Sequence, residues 1–367
     1  MELNFIVTII FFFSFWGYNV NSEEPVIFDI RKYGAGSGDI SQALLDAWTA
    51  ACNSTTPSVV LIPPGTWHLS QVKLVGPNKA PLELQVQGTV QADPDLNKLP
   101  NKDGQWITIN YVDYFTLSGG GVFDGQGLKA WKQNDCGTNP NCAKTPINLS
   151  FNFIKNSMIR DMTSKDSKNW HVNCISSKNV TFLRFTISAP GDSINTDGIH
   201  LARDTMINIT DSVIGTGDDC ISIGDDMKDL YIQNVICGPG HGISIGSLGK
   251  NVAEKDVQGI YVRNCTFKGT DNGVRIKTWP SAPAQLQISD LHFDDLIMDN
   301  VKNPVIFDQE YCPYNLCKLD KPSLIKISKV TLKNIRGTSA TPEVMSFLCS
   351  GAKPCENIHP CSVCLIS

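Results

Sequence analysis

No run of basic residues occurs in the chain, and 31 Lys and Arg against 36 Asp and Glu leave a formal charge of −5. Nothing here attracts nucleic acid or an anionic membrane over distance, so neither is expected as a partner. No apolar stretch is long enough to cross a bilayer. The N-terminal one, Phe5 to Tyr18, has 14 residues, where a span needs about 20. Spaced Cys and His pairs of a zinc site, a glycine-rich phosphate loop and a Ser-His-Asp order are missing, so no metal and no cofactor are expected. Asn-Gly hairpin turns scarcely appear, Asn272-Gly273 being the exception, which disfavours an antiparallel β-sandwich.

What is present is apolar material for a large core: 41% of 367 residues are hydrophobic. Residues 5–18, followed by polar Asn19 to Glu24, fit a secretory h-region, with Val20 and Ser22 suiting a cut after Ser22; Glu2 stands where a basic n-region is usual. Without residues 1–22 the chain has 35 acidic and 31 basic residues, a charge of −4. Thirteen cysteines in an exported chain imply several disulfides and, by parity, at least one free thiol. Cys312 with Cys317 and Cys349 with Cys355 suit short loops. Sequons at Asn53, Asn148, Asn179, Asn208 and Asn264 fit the secretory route, with Asn264 expected on a buried strand.

One stretch has helical periodicity. Ala43, Leu44, Ala47, Trp48 and Ala51 share a face between Ser41 and Cys52, and Ser41 is placed to cap it. Elsewhere short strands recur: Val180-Thr181-Phe182, Ile207-Asn208-Ile209, Leu230-Tyr231-Ile232, Ile260-Tyr261-Val262, Leu291-His292-Phe293 and Val330-Thr331-Leu332, at intervals of 27, 23, 30, 31 and 39 residues. Such a repeat buries its apolar face only by stacking coil on coil. The expected fold is all-β, a single-stranded right-handed parallel β-helix with the helix capping its N-terminal end.

Between these strands lie four polar motifs: Asn195-Thr196-Asp197, Gly217-Asp218-Asp219, Gly240-His241-Gly242 and Arg275-Ile276-Lys277. Their gaps are each about one coil: 21 residues from Asp197 to Asp218, 22 from Asp219 to His241 and 34 from His241 to Arg275. Coils in register stack equivalent positions about 4.8 Å apart, so one cleft along a sheet can gather all six charged groups. Arg275 and Lys277 then share an outer face while Ile276 points inward. An Asp-Asp turn that only caps a strand or holds calcium is the structural alternative, weakened by Asp197 one coil earlier. Three clustered carboxylates suit glycoside hydrolysis, since like charges keep one of them protonated.

The four motifs, in this order and spacing, resemble the signature of polygalacturonases, glycoside hydrolases that cleave pectin. The likeness runs from about Val26 to Ile358, and residues 238–249 and 274–280 resemble the plant pollen-type exo-enzymes in particular. The resemblance implies a secreted, inverting hydrolase of α-1,4-galacturonosyl bonds in the cell wall, a monomer, exo-acting from the non-reducing end. Endo action is the alternative. The resemblance implies Asp218 as the general acid with Asp197 and Asp219 holding the water; His241, between two glycines, is expected to orient the acid or contact the sugar, and Asn195, Arg275, Lys277 and Tyr311 to contact sugar. The residues alone leave open which adjacent aspartate donates, and Tyr311 suits packing beside Cys312 equally. The resemblance also implies a Cys220–Cys237 bridge. His171, His200 and His292 lie outside every motif and are expected to be structural. Family members continue the coil begun at Cys355 to Ile358, whereas residues 359–367 read as an atypical, shortened tail after a 23–358 domain. A pectin-binding wall protein without turnover is the reading from another class.

Overall fold

The computed structural model describes residues 24–366 except 101–102, 136–138, 140–141, 143, 282, 314–316 and 318–320. The expected signal segment lies outside the described residues. The six repeated strands fall into parallel register, with Val180, Ile207, Leu230, Ile260, Leu291 and Val330 aligned one above another. All six are fully buried. The chain is thus a right-handed parallel β-helix. Among the described residues its coils build a ten-stranded sheet and a nineteen-stranded one that wraps the remaining walls.

Sharp corners let a coil turn from one wall to the next. At one corner Asp161, Arg184, Asp211, Asn234, Asn264, Asp295 and Asn334 all take a left-handed backbone, φ between 48° and 57°. Asn and Asp tolerate that conformation better than other L-residues because their short polar side chains bond locally. Here they bond from coil to coil: Asn264 donates to Asn234 at 2.7 Å and Asn234 to Asp211 at 2.9 Å. Corner position also places Asn264 in solvent, whereas Asn148 is buried and donates to Ser164 Oγ at 3.1 Å. Asn264 is therefore exposed where a buried strand position was expected.

The helix spans Ser41–Asn53 and buries Ala43, Leu44, Ala47, Trp48 and Ala51 against the first coils, with Trp48 Nε1 donating to Val75 O. Its cap differs from expectation. Ser41 is the first helical residue, and the Asp39 carboxylate accepts its N–H at 3.1 Å. A second, short helix at Leu128–Gln133 had no legible periodicity. At the other end Glu356–Ile366 pairs with Lys326–Ser339 from Ser328↔Glu356 to Thr338↔Ile366. Residues 359–366 therefore lengthen the outer wall.

Bridges join Cys220 to Cys237, Cys312 to Cys317 and Cys349 to Cys355. Cys52, Cys174 and Cys265 are free and buried, and Cys361 and Cys364 are free and exposed.

Candidate active site

The ten-stranded sheet carries the motifs. Val172, Ile199, Ile221, Ile243, Val274 and Val305 align in register and point inward. One residue further along each strand, Asn173, His200, Ser222, Ser244 and Arg275 align on the outer face. Two residues before each inward anchor lie Trp170, Asp197, Asp219, His241 and Asn272, and three before lie Asn169, Thr196, Asp218, Gly240 and Asp271. Stacking thus delivers Asp197, Asp218, Asp219 and His241 to one edge of the sheet, and Lys277 rises from its far side.

Glycines flank His241 because adjacent coils touch there. A Cβ on Gly242 would stand 2.0 Å from Asn272 O, and one on Gly240 2.6 Å from Asp218 O. Both have φ above 20°, a backbone that glycine adopts without strain.

The carboxylates have distinct partners. Asp219 is buried; Lys277 Nζ donates to its Oδ2 and Ser244 Oγ to its Oδ1, each at 2.7 Å. Asp218 Oδ1 accepts the Asp219 N–H at 2.7 Å and faces His241 Nδ1 at 3.0 Å. Asp197 has no cation of its own. Burial, then the charges of Asp218 and Asp219, push its carboxyl well above the ordinary range, so it is the natural holder of a proton. Burial is the largest influence on Asp218 and raises it, but the His241 hydrogen bond and charge, the Asp219 N–H and Lys277 together outweigh it and leave it below its ordinary value. The same bond raises His241. Burial would lower Lys277, yet Asp219 outweighs it and holds the ammonium charged. The groups interact closely enough that their protons belong to the set and not to one residue.

His241 Nε2 lies 3.6 Å from Asp271 Oδ2, and Asp271 Oδ1 lies 2.6 Å from Lys302 Nζ. Arg275 is 3.5 Å from Asp308 Oδ2 and 5.0 Å from the Tyr311 ring centre, with Lys277 Nζ 5.5 Å from the same ring. Among the described residues the buried Arg275 Nε has no hydrogen-bond partner. Asn195 Nδ2 donates to Asn169 Oδ1. Asp197, Asp218, Asp219, Asn195, Lys277 and Tyr311 line one cleft of about 260 Å³, together with Trp170, His200 and Ser222.

His200 is a correction. It does not serve the core: its ring stacks on Trp170 at 4.2 Å, its Nδ1 meets Ser222 Oγ at 2.9 Å, and it faces the cleft. Burial and the nearby Lys277 lower its pKa to about 4, so it is neutral. His171 is sealed, with Nδ1 at 2.9 Å from Ser164 Oγ, and His292 stacks on Tyr261 on another wall. Trp170, Ser244, Asp271 and Lys302 were also missed. The signal that marks His200 and Ser244 is register with Arg275, which appears only once the strands are aligned.

Asp218, Asp219 and His241 offer metal-ligand atoms within 4.8 Å of one another. Their lone pairs are already engaged: both Asp219 oxygens accept from Lys277 and Ser244, and Asp218 Oδ1 accepts from the backbone and faces His241. The buried ammonium stands where a cation would neutralise the acids.

The family model "Glycosyl hydrolases family 28" matches residues 52–365. A polygalacturonase of Nicotiana tabacum is 54% identical over 360 residues, 98% of this chain and 89% of that protein. An exopolygalacturonase of Platanus acerifolia is 49% identical over 334 residues, 90% of this chain and 88% of that one. Among solved structures, endo-xylogalacturonan hydrolase from Aspergillus tubingensis aligns with a TM-score of 0.78 at 23% identity, covering 90% of each chain. At that identity the likeness speaks for the fold alone.

Proposed function

This chain belongs to glycosyl hydrolases family 28 and is a polygalacturonase, and from that premise we propose that it is exported to the plant cell wall and hydrolyses homogalacturonan by inversion, from the non-reducing end. The observation that carries the chemistry is three carboxylates at one edge of a sheet, one of them raised well above the ordinary range by burial and its neighbours' charges and one clamped by a buried lysine. Inversion needs an acid on the leaving oxygen and a carboxylate-activated water on the opposite face of the sugar, roughly 6.5–9.5 Å away.

Asp218 delivers the proton. It is the aspartate joined to a proton reserve, since the raised His241 imidazolium lies 3.0 Å from Oδ1. Asp218 lies below its ordinary value at rest, so the imidazolium passes its proton to Asp218, and as that proton moves on to the glycosidic oxygen the bond from C1 to that oxygen breaks. The water, held between Asp197 and Asp219, adds to C1, and its proton passes to Asp219. Exchange with solvent then takes the proton from Asp219 and restores the imidazolium. Lys277 fixes Asp219 for that role through the 2.7 Å bond to its Oδ2, while Asn195 and Tyr311, which line the cleft, and Arg275, 5.0 Å from the Tyr311 ring, engage the substrate.

Reducing-sugar release from polygalacturonic acid at about pH 5, with chelator present and products resolved by size, tests this reading. Native chain releasing monomer, with release lost in Asp218→Asn, is the expected result. An unsaturated, ultraviolet-absorbing product that needs calcium means a lyase. Binding of the polymer without release means a wall-binding protein. Export is tested separately: the mature chain should begin at Glu23.

A further inference from the structure

Toward the N-terminal coils the lining of the cleft, among the described residues, begins with Trp170 on the strand-entry side and runs through Asp197 and Asp219 to Lys277 and Tyr311. Trp170 stands one coil before Asp197 in the same column. Its ring does not lie along that column. It crosses to His200, which belongs to the outer-face column of the next strand, and the two rings stack at 4.2 Å with 30° between their planes. A tryptophan rooted at one edge of the floor and a histidine rooted in its middle together span the floor.

Other contacts fix the wall. Ser222 Oγ holds His200 Nδ1 at 2.9 Å. Beside Trp170, Asn169 Oδ1 accepts from Asn195 Nδ2 and Asn169 Nδ2 donates to Thr145 O at 3.0 Å, so the turn that carries Trp170 is tied to the coils on both sides. The cleft beside the stack is open to solvent and holds about 260 Å³, less than the roughly 300–1,000 Å³ that takes a drug-sized ligand, so a sugar seated against the stack fills much of it.

We propose that the Trp170–His200 stack is the end wall of the cleft, seating the terminal galacturonate and restricting the enzyme to release of one sugar at a time. This rests on the exo-acting reading above and names the residues that impose it. An uncharged wall suits the task. His200 is neutral, so it does not compete with Arg275 for the sugar carboxylate, and the indole gives an apolar surface for a sugar ring.

The experiment is product analysis on polygalacturonic acid and on size-defined oligogalacturonides, comparing native enzyme, Trp170→Ala and Trp170→Phe. The expected result is monomer alone from native and Trp170→Phe, and a mixture of monomer, dimer and longer products from Trp170→Ala. Native enzyme that releases monomer while folded, active Trp170→Ala also releases only monomer leaves the exo reading standing and overturns the wall. Native enzyme that releases mixed oligomers overturns the exo reading and the wall with it. Should Trp170→Ala fail to fold or to turn over, His200→Ala removes the other half of the stack and must broaden the products; monomer alone from that variant overturns the proposal.

Discussion

Lys277 Nζ and Asp219 Oδ2 lie 2.7 Å apart, both nearly sealed from solvent, although 58 residues separate them in sequence. Neither charge is tolerable there without the other, because an unpaired ion in the interior keeps its desolvation cost and loses its compensation. Lys277→Met should therefore lower stability by about 3–5 kcal/mol and abolish turnover. Adding Asp219→Asn should restore most of the stability and none of the activity. Denaturant midpoints for the single and double variants check this, and additive losses would show that the pair is not coupled.

Asp197 should show the opposite relation between stability and function. Its folded carboxyl is raised by burial and by Asp218 and Asp219. A raised folded value contributes stability that is fully present below the unfolded value, about 3.9, and is lost as pH rises through the folded one. Asp197→Asn removes that loss. At pH 7 the variant should be more stable than native by roughly 0.5–2 kcal/mol, the gain vanishing near pH 4, while activity falls roughly 10²–10⁴-fold. Melting temperatures from pH 4 to 7 decide the sign.

His241 should set the alkaline limb of the rate profile. Its folded value is raised, first by the Asp218 hydrogen bond, so the imidazolium and its ion pair persist above the ordinary histidine range and are lost as pH rises through the raised value. If it supplies Asp218 with protons, the rate should fall over that same window. His241→Gln should lose that limb and at least about tenfold in kcat. An unchanged alkaline limb in the variant would assign it to another group.

The architecture was legible because the repeat and the register are the same fact: triplets spaced 23 to 39 residues apart in sequence lie one above another in the wall. The charged motifs were legible because polar groups between buried strands stand out. What escaped depends on alignment across coils. His200 sits between Ile199 and Leu201, an ordinary alternation, and joins the cleft only through its neighbours Ser222 and Trp170. Asp271 and Lys302 form no motif and meet His241 only by stacking. Asn264 read as buried because a strand surrounds it, yet its left-handed corner turns the side chain outward.

The Cys220–Cys237 bridge should couple stability to catalysis. It closes a loop with a sequence separation of 17, for which the lost chain entropy is worth about 3 kcal/mol. Both cysteines are buried beside the motifs: Cys220 follows Asp219, and Cys237 lies four residues before His241. The bridge therefore ties the turn that bears Asp218 and Asp219 to the chain leading into His241, and holds the 3.0 Å contact between His241 and Asp218. Replacing both cysteines by serine should cost roughly 2–4 kcal/mol and lower kcat more than it changes KM, since the contact it supports acts on proton delivery. The Cys312–Cys317 pair gives the control: it closes a shorter loop, and the same double replacement there should affect catalysis only where it disturbs Tyr311. Kinetics of both variants at pH 5, beside their unfolding midpoints, separate the two effects. A Cys220/Cys237 variant with reduced stability and native kcat would confine the bridge to folding.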